Sequence, residues 1–267
     1  MSPDRVVDSK SLKEELQKAP TQKFFGTQSE HLDKLIGGFG EGDLIIVGGS
    51  QKAGKTSLLQ TWTKKFARQG VPCLWFSIEL SSREFLGRFG DDLPIFYLPR
   101  VMPTNTTHIW IEKKIEEAVQ AHGVKIVFID HIGMIADEAM MSNRNSVDIM
   151  DSRLFRLKRF AVKNKVCLVA VAPFVMSSLR KKKTEPSTGD FRGTAMIGYT
   201  ADTLLALDRL VGQKSIKTVN EDNDLPDFGG RLVATDAYLY VLDCRRTGAR
   251  KLRIKMELDD GGDLRES

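Results

Sequence analysis

The sequence predicts an α/β fold: a mostly parallel, twisted sheet flanked by helices, with an antiparallel hairpin at its C-terminal side. Three observations carry this. Short, continuous apolar runs alternate with helical stretches from residue 44 to residue 207. Strands covered on both faces need such unbroken runs, whereas half-exposed strands alternate. The first run passes through a glycine-containing turn straight into a helix. The last two runs, 238–242 and 252–258, are separated by a turn containing Arg245-Arg246-Thr247-Gly248, which makes them a hairpin.

The elements follow in order. Residues 9–18 read as a helix with Leu12, Leu16 and Ala19 on one face, ended by Pro20. This N-terminal linker helix (residues 1–22) has too little apolar surface to fold alone. It docks either on the main domain, residues 23–267, or on a neighbouring subunit. Leu44-Ile45-Ile46-Val47, between Gly42 and Gly48, is the first buried strand, and a helix starts at Lys55. Cys73-Leu74-Trp75-Phe76-Ser77-Ile78 is the second strand. The helix after it begins at Ser81 or Ser82, with Glu84 in a first turn where the helix dipole favours an acid.

Residues 109–122 are an amphipathic helix with Ile111, Ile115, Ala118 and Val119 together and Gly123 as its cap. Lys125-Ile126-Val127-Phe128-Ile129-Asp130 is a third strand that ends in a carboxylate. A helix over 147–163 leads to Val166-Cys167-Leu168-Val169-Ala170-Val171, the fourth strand. Thr203-Leu204-Leu205-Ala206-Leu207 is the fifth. The polar stretch 214–227, with Asn220, Asp222, Asn223 and Pro226, reads as a flexible surface insertion spanning about 210–236.

The 267 residues suit one large α/β domain, and a hydrophobic content of 41% excludes a mostly disordered chain. A net charge of +5 is compatible with nucleic acid and equally with an ordinary solvated surface. Cys73, Cys167 and Cys244 lie far apart beside apolar runs, without metal-ligand spacing, so they read as buried thiols. No apolar run approaches the length of a membrane span and no signal core opens the chain, which points to a cytoplasmic protein without a membrane partner.

Chemistry concentrates after the first strand. Gly49-Ser50-Gln51-Lys52-Ala53-Gly54-Lys55-Thr56, followed by Ser57, matches G-x-x-x-x-G-K-S/T between a strand and a helix. Glycines let backbone N–H groups turn inward around phosphate oxygens, and the helix N-terminus adds positive potential. Lys55 would reach the β- and γ-phosphates, and the Thr56 hydroxyl would bind magnesium. Parallel strands present their C-terminal ends to the ligand crevice. Asp130, at such an end, suits the magnesium water shell; the alternative is a helix N-cap. Glu79, just past the second strand, suits orientation of an attacking water, or is a surface acid at a helix start.

Arg180-Lys181-Lys182-Lys183 follows the fourth strand and is either a nucleic-acid backbone contact or a solvated loop. No aromatic residue interleaves it, so base stacking is not indicated there. Arg245 and Arg246, on the hairpin turn, are either exposed turn residues or candidates for an arginine finger aimed at a neighbour's nucleotide.

Several segments together resemble the ring-forming replicative DNA helicases, the DnaB group and the helicase half of T7-type phage helicase-primases, from about Phe25 to Leu258. They are His31-Leu32-Asp33-Lys34-Leu35-Ile36-Gly37-Gly38-Phe39, Phe76-Ser77-Ile78-Glu79-Leu80-Ser81, Phe128-Ile129-Asp130-His131-Ile132, Asp190-Phe191-Arg192-Gly193-Thr194 with Ala201-Asp202-Thr203, and Leu242-Asp243-Cys244-Arg245-Arg246-Thr247-Gly248. The resemblance implies a RecA-like P-loop NTPase that hydrolyses ATP with Mg2+ and works in replication. Glu79 would be the catalytic glutamate, Asp130 the metal-binding Walker B acid, and Arg245 the finger, with Arg246 as its possible substitute. Arg180, Lys181, Lys182, Lys183 and Arg192 would contact single-stranded DNA. The partners implied are further copies of the chain, as a hexameric ring, and a separate primase or loader, since only about two dozen residues precede the match.

Two positions depart from the family pattern. Where a glutamine or histidine usually follows the fourth strand, this chain has Ala172-Pro173-Phe174; His131 is a candidate to replace it as a sensor. Where a lysine often stands two residues before the finger, it has Asp243. The rival readings are a RecA/RadA- or KaiC-like ATPase, and a nucleotide-binding assembly factor without unwinding activity.

Overall fold

A computed structural model describes residues 6–19, 21–136, 146–174, 185–191, 196–209, 237–259 and 262–267. The described helices are α1 (Ser9–Lys18), α2 (Glu30–Ile36), α3 (Lys55–Arg68), α4 (Ser82–Gly87), α5 (His108–His122), α6 (Ser146–Asn164) and α7 (Met196–Thr200). The strands are β1 (Phe24–Phe25), β2 (Phe39–Gly40), β3 (Leu44–Gly49), β4 (Cys73–Ser77), β5 (Ile126–Asp130), β6 (Cys167–Val171), β7 (Thr203–Arg209), β8 (Ala237–Cys244), β9 (Leu252–Leu258) and β10 (Leu264–Glu266).

Eight strands form one sheet in the order β10-β9-β8-β7-β3-β6-β5-β4. From β7 to β4 every pairing is parallel, and from β7 outward to β10 every pairing is antiparallel. Helices cover both faces, and the strand residues divide by pleat: Leu44 and Ile46 face one core, Ile45 and Val47 the other. The first core takes Ile111 and Ile115 of α5, Leu154 and Leu157 of α6, and Ile197 of α7. The second takes Leu32 and Ile36 of α2, Leu58, Trp62 and Phe66 of α3, and Phe85 of α4. This double coverage is the reason the central strands are apolar throughout.

Helix boundaries follow local chemistry. The Ser81 side chain accepts from Glu84 N at 3.3 Å to start α4, and Thr107 accepts from Trp110 N at 3.3 Å to start α5. Gly123, at φ 65°, ends α5, its N–H donating to Val119 O. Helix α1 buries none of its residues.

Three features go beyond the expected elements. A small β1–β2 pair packs at the start of the domain. The outer edge of β4 is covered by Tyr97, which exchanges backbone hydrogen bonds with Trp75 and Cys73. The last strand, β10, seals the far edge and also fastens two helices. Leu264 N donates to Thr61 Oγ1 of α3 at 3.0 Å, Asp263 pairs with the buried Lys64 at 2.9 Å, and the Glu266 carboxylate accepts from the backbone of His31 and Leu32 at the start of α2. The insertion expected over 210–236 lies outside the described residues. Among the described residues no helix is long and apolar enough to cross a membrane.

Candidate active site

Strand β3 ends at Gly49, and the chain turns through residues 50–54 into α3. Two glycines make that turn possible. Gly54 sits at φ 99°, where a side chain is strained. Gly49, at φ 147°, lies so near β7 that an added Cβ would stand 2.2 Å from Leu207 O. Lys52 also takes a left-handed conformation, φ 60°, at the tip of the turn.

Lys55 opens α3 and folds back over the turn, its Nζ donating to Gly49 O at 3.0 Å and Ser50 O at 2.7 Å. Burial pushes its ammonium below the ordinary lysine range, against the opposing pull of Asp130 and Glu79. Thr56, the next residue, donates through Oγ1 to Asp130 Oδ2 at 2.6 Å. Burial holds the Asp130 carboxyl above the ordinary range. The Thr56 bond lowers it, the charge of Glu79 raises it further, and His131 and Lys55 lower it.

The two acids reach this point by strand register. Ser77 of β4 lies opposite Asp130 of β5, and Ile78 N donates to Asp130 O at 2.9 Å. Glu79 follows at once. Residues 49–52 and 54–57, Glu79, Asp130 and His131 line a single cleft of about 650 Å³. Ala53 is buried beside it. The His131 Nδ1 accepts from Gly133 N at 3.2 Å, and the Asp130–His131 peptide is cis.

Five further residues line the cleft, and of these Arg88 alone carried no signal in the sequence. Leu80, Arg88, Val171, Pro173 and Phe174 complete the wall, with Arg88 tethered to Glu84 at 3.0 Å. An arginine on a short helix has no spacing rule that marks it, whereas Pro173-Phe174 stand at the position after the fourth strand that the sequence had already singled out.

The two hairpin arginines lie elsewhere and differ from each other. Arg245 is exposed; its N–H donates to Asp202 O at 2.9 Å and its guanidinium to Tyr199 O. Arg246 turns inward. Its guanidinium donates to Ile36 O at 3.1 Å and Gly38 O at 2.9 Å, pairs with Asp43, and stacks over the Phe24 ring 4.2 Å away. That geometry ties Arg246 to its own chain, whereas Arg245 makes fewer such contacts. Both sit beside the start of β3, since Asp202 N donates to Leu44 O. The phosphate-type turn is at the other end of that strand, about 17 Å away at ~3.3 Å per residue. Arg180, Lys181, Lys182, Lys183 and Arg192 lie outside the described residues.

A magnesium nucleotide is compatible with this donor set. Among the described residues no group of three His, Cys, Asp or Glu side chains could hold a metal on its own. Magnesium does not need one: it commonly takes one or two protein oxygens, with phosphates and water completing an octahedron. The Thr56 hydroxyl and Asp130 carboxylate are two such oxygens at one point.

Residues 25–90 match the family model described as the DnaB-like helicase C-terminal domain. The chain is 24% identical over 221 residues to the replicative DNA helicase DnaB of Mycoplasma pneumoniae, covering 69% of this chain and 46% of that protein. It is also 24% identical over 212 residues to the DnaB of Treponema pallidum, with 67% and 46% covered. The chain thus spans about half the length of the curated relatives it matches. Among solved structures, the ATPase domain of G40P superposes with a TM-score of 0.72 at 14% identity, covering 96% of each chain. A DnaB-like replicative helicase, described with its interactions with primase, gives 0.72 at 14%, covering 95% of this chain and 66% of that one. These structures share the α/β sheet architecture of this chain, and its sequence similarities, residues 25–90 to the DnaB-like helicase C-terminal domain among them, are to DnaB-type proteins.

Proposed function

We propose that this chain is the ATP-hydrolysing motor of a ring-forming DNA helicase, moving on single-stranded DNA during replication. The observation that supports it most is the meeting of Thr56 and Asp130 under the glycine turn, with Glu79 on the wall of the same cleft.

In this reading the backbone N–H groups of residues 50–56 cradle the phosphate tail, and Lys55 leaves its two carbonyl partners to neutralise the terminal phosphates. Thr56 and Asp130 hold magnesium, which supplies charge neutralisation of the phosphate oxygens when bound. Glu79 accepts the proton of the attacking water or fixes its orientation. Arg245 lies a strand's length from its own glycine turn, so a role in stabilising phosphoryl charge must be exercised on another protomer. That requirement favours a homo-oligomer, and the hexameric ring with α1 docked on its neighbour is the form we adopt. The basic residues 180–183 and Arg192 would grip the DNA backbone. A primase or loader as partner, and location in the cytoplasm of a bacterium or a phage's bacterial host, belong to the same proposal.

The test is ATPase activity with and without single-stranded DNA. Stimulation by DNA that Lys55→Ala abolishes supports the motor. Sizing with a non-hydrolysable nucleotide and DNA, together and apart, reads out the ring. A second reading, a helicase-derived assembly factor that binds ATP without unwinding, draws on one observation: the cleft rim after β6 is the apolar pair Pro173-Phe174. A slow ATPase insensitive to DNA, with full nucleotide affinity, would decide for it.

A further inference from the structure

The pattern G-x-x-x-x-G-K-S/T leaves its fourth residue open, and in this chain that residue is Lys52. Among the described residues, four that are not glycine have positive φ: Gln28, Lys52, Lys165 and Lys251. Of these, Lys52 alone lines the candidate cleft. At its φ of 60° a Cβ crowds the neighbouring carbonyl, a cost that glycine would not carry. The turn itself accounts for the backbone conformation. Left-handed residues at 52 and 54 help to curl successive N–H groups into an anion-binding concavity. A glycine at 52 would serve that purpose with less strain. What the lysine adds is its side chain.

That side chain is uncommitted. Lys52 is exposed at the tip of the turn, and among the described residues its ammonium has no hydrogen bond and no ion pair. The other two cations of the cleft are engaged. Lys55 donates to Gly49 O and Ser50 O and feels the charges of Asp130 and Glu79, so the two acids outnumber it. Arg88 is paired with Glu84 at 3.0 Å. A phosphate tail laid against the turn would meet two acids on the wall, and Lys52 is the cleft cation whose charge is not already answered within the chain.

We infer that the Lys52 ammonium is a second cation for the phosphate tail, acting beside Lys55, and that it grades affinity by the number of phosphates on the ligand. The inference rests on the reading of this cleft as a nucleotide site. A lysine is a compact point charge on a flexible stem, able to follow phosphate oxygens that fixed backbone N–H groups cannot. Because Lys52 is exposed, its attraction is screened by salt, whereas the short hydrogen bonds of a closed turn are screened much less.

The test measures equilibrium affinities of the full chain, with magnesium, for a non-hydrolysable ATP analogue, ADP and AMP at low and high salt. Lys52→Gly and Lys52→Asn both accept a left-handed backbone and remove the charge. Each should melt close to the parent and bind the triphosphate severalfold more weakly at low salt. The loss should be smaller for ADP, smallest for AMP, and should shrink at high salt. Lys52→Arg keeps the charge and should keep most of the triphosphate affinity. Unchanged triphosphate affinity in the glycine and asparagine variants overturns the inference. So does a loss that is equal for all three nucleotides or indifferent to salt, and so does an arginine variant as weak as the asparagine one, since each would trace the effect to the backbone of the turn. A parent chain that binds none of the three nucleotides would remove the proposed function as well, which separates that failure from a failure of Lys52 alone.

Discussion

The Thr56 hydroxyl donates to Asp130 Oδ2 over 2.6 Å, so the first turn of α3 and the tip of β5 touch before any ligand is considered. That contact holds a carboxylate in a buried place where its charge is costly. Its function and its stability therefore pull in opposite directions.

Asp130→Asn should separate the two. An asparagine keeps an acceptor for Thr56 and drops the buried charge. Burial raises the Asp130 carboxyl above its unfolded value, so the folded state is penalised above that raised pKa and the penalty vanishes below the unfolded pKa, near 3.8. At neutral pH the variant should be more stable by on the order of 1 kcal/mol, while magnesium-dependent hydrolysis is lost. Thermal melting from pH 7 downward checks the sign: the advantage should shrink as pH falls toward 4. A variant that melts lower than the parent at pH 7 would refute the argument.

Glu79→Gln tests a different step. Glu79 lines the cleft, while the Thr56 hydroxyl donates to Asp130, so the loss of Glu79 should leave nucleotide affinity nearly intact. Turnover should fall by about 10²–10⁴-fold, the usual contribution of a positioned base. Equilibrium binding of a labelled nucleotide beside steady-state hydrolysis separates the two effects. A matching loss of affinity would move Glu79 from the water to the metal.

Much of this site is legible in the sequence, for physical reasons. The glycine turn is local: its motif, its strand and its helix lie within residues 44–68. Asp130 is marked because it ends an apolar run. The position of Arg88 is not marked, because tertiary packing alone brings it to the cleft. The clasp of β10 on α2 and α3 is likewise non-local, joining residues more than 200 apart. The neighbouring arginines 245 and 246 share one turn, and only the structure shows that one faces out and the other in.

Gly49→Ala should be severe. The new methyl would meet the Leu207 carbonyl at 2.2 Å, and that carbonyl belongs to the central sheet, where it cannot step aside. Overpacking of this kind and the unfavourable φ of 147° together should cost about 3 kcal/mol or more. Chemical denaturation of the ligand-free protein is the measurement. A loss below about 1 kcal/mol, well under that overpacking cost, would mean β3 can shift relative to β7.

Arg245→Ala and Arg246→Ala should give opposite phenotypes despite adjacency. Arg245 is exposed and makes one side-chain contact, to a carbonyl, so its removal should change stability by no more than about 0.5 kcal/mol. If it acts across a subunit boundary, turnover of the assembled protein should fall by about 10³-fold or more. Arg246→Ala instead strands the Asp43 carboxylate, which is 8% exposed and which burial already raises. Breaking a fully buried pair costs about 3–5 kcal/mol; the Arg246 side chain is 28% exposed, so a loss of about 2–3 kcal/mol is expected. A partner variant isolates the cause: Asp43→Asn should recover part of that loss in the Arg246→Ala background, because no unpaired charge remains. Mixing the Arg245→Ala chain with a Lys55→Ala chain then asks where Arg245 works. Subunits that lack the arginine but keep Lys55 should regain turnover beside neighbours with the opposite defects, and a mixture as inactive as its components would place Arg245 outside the reaction.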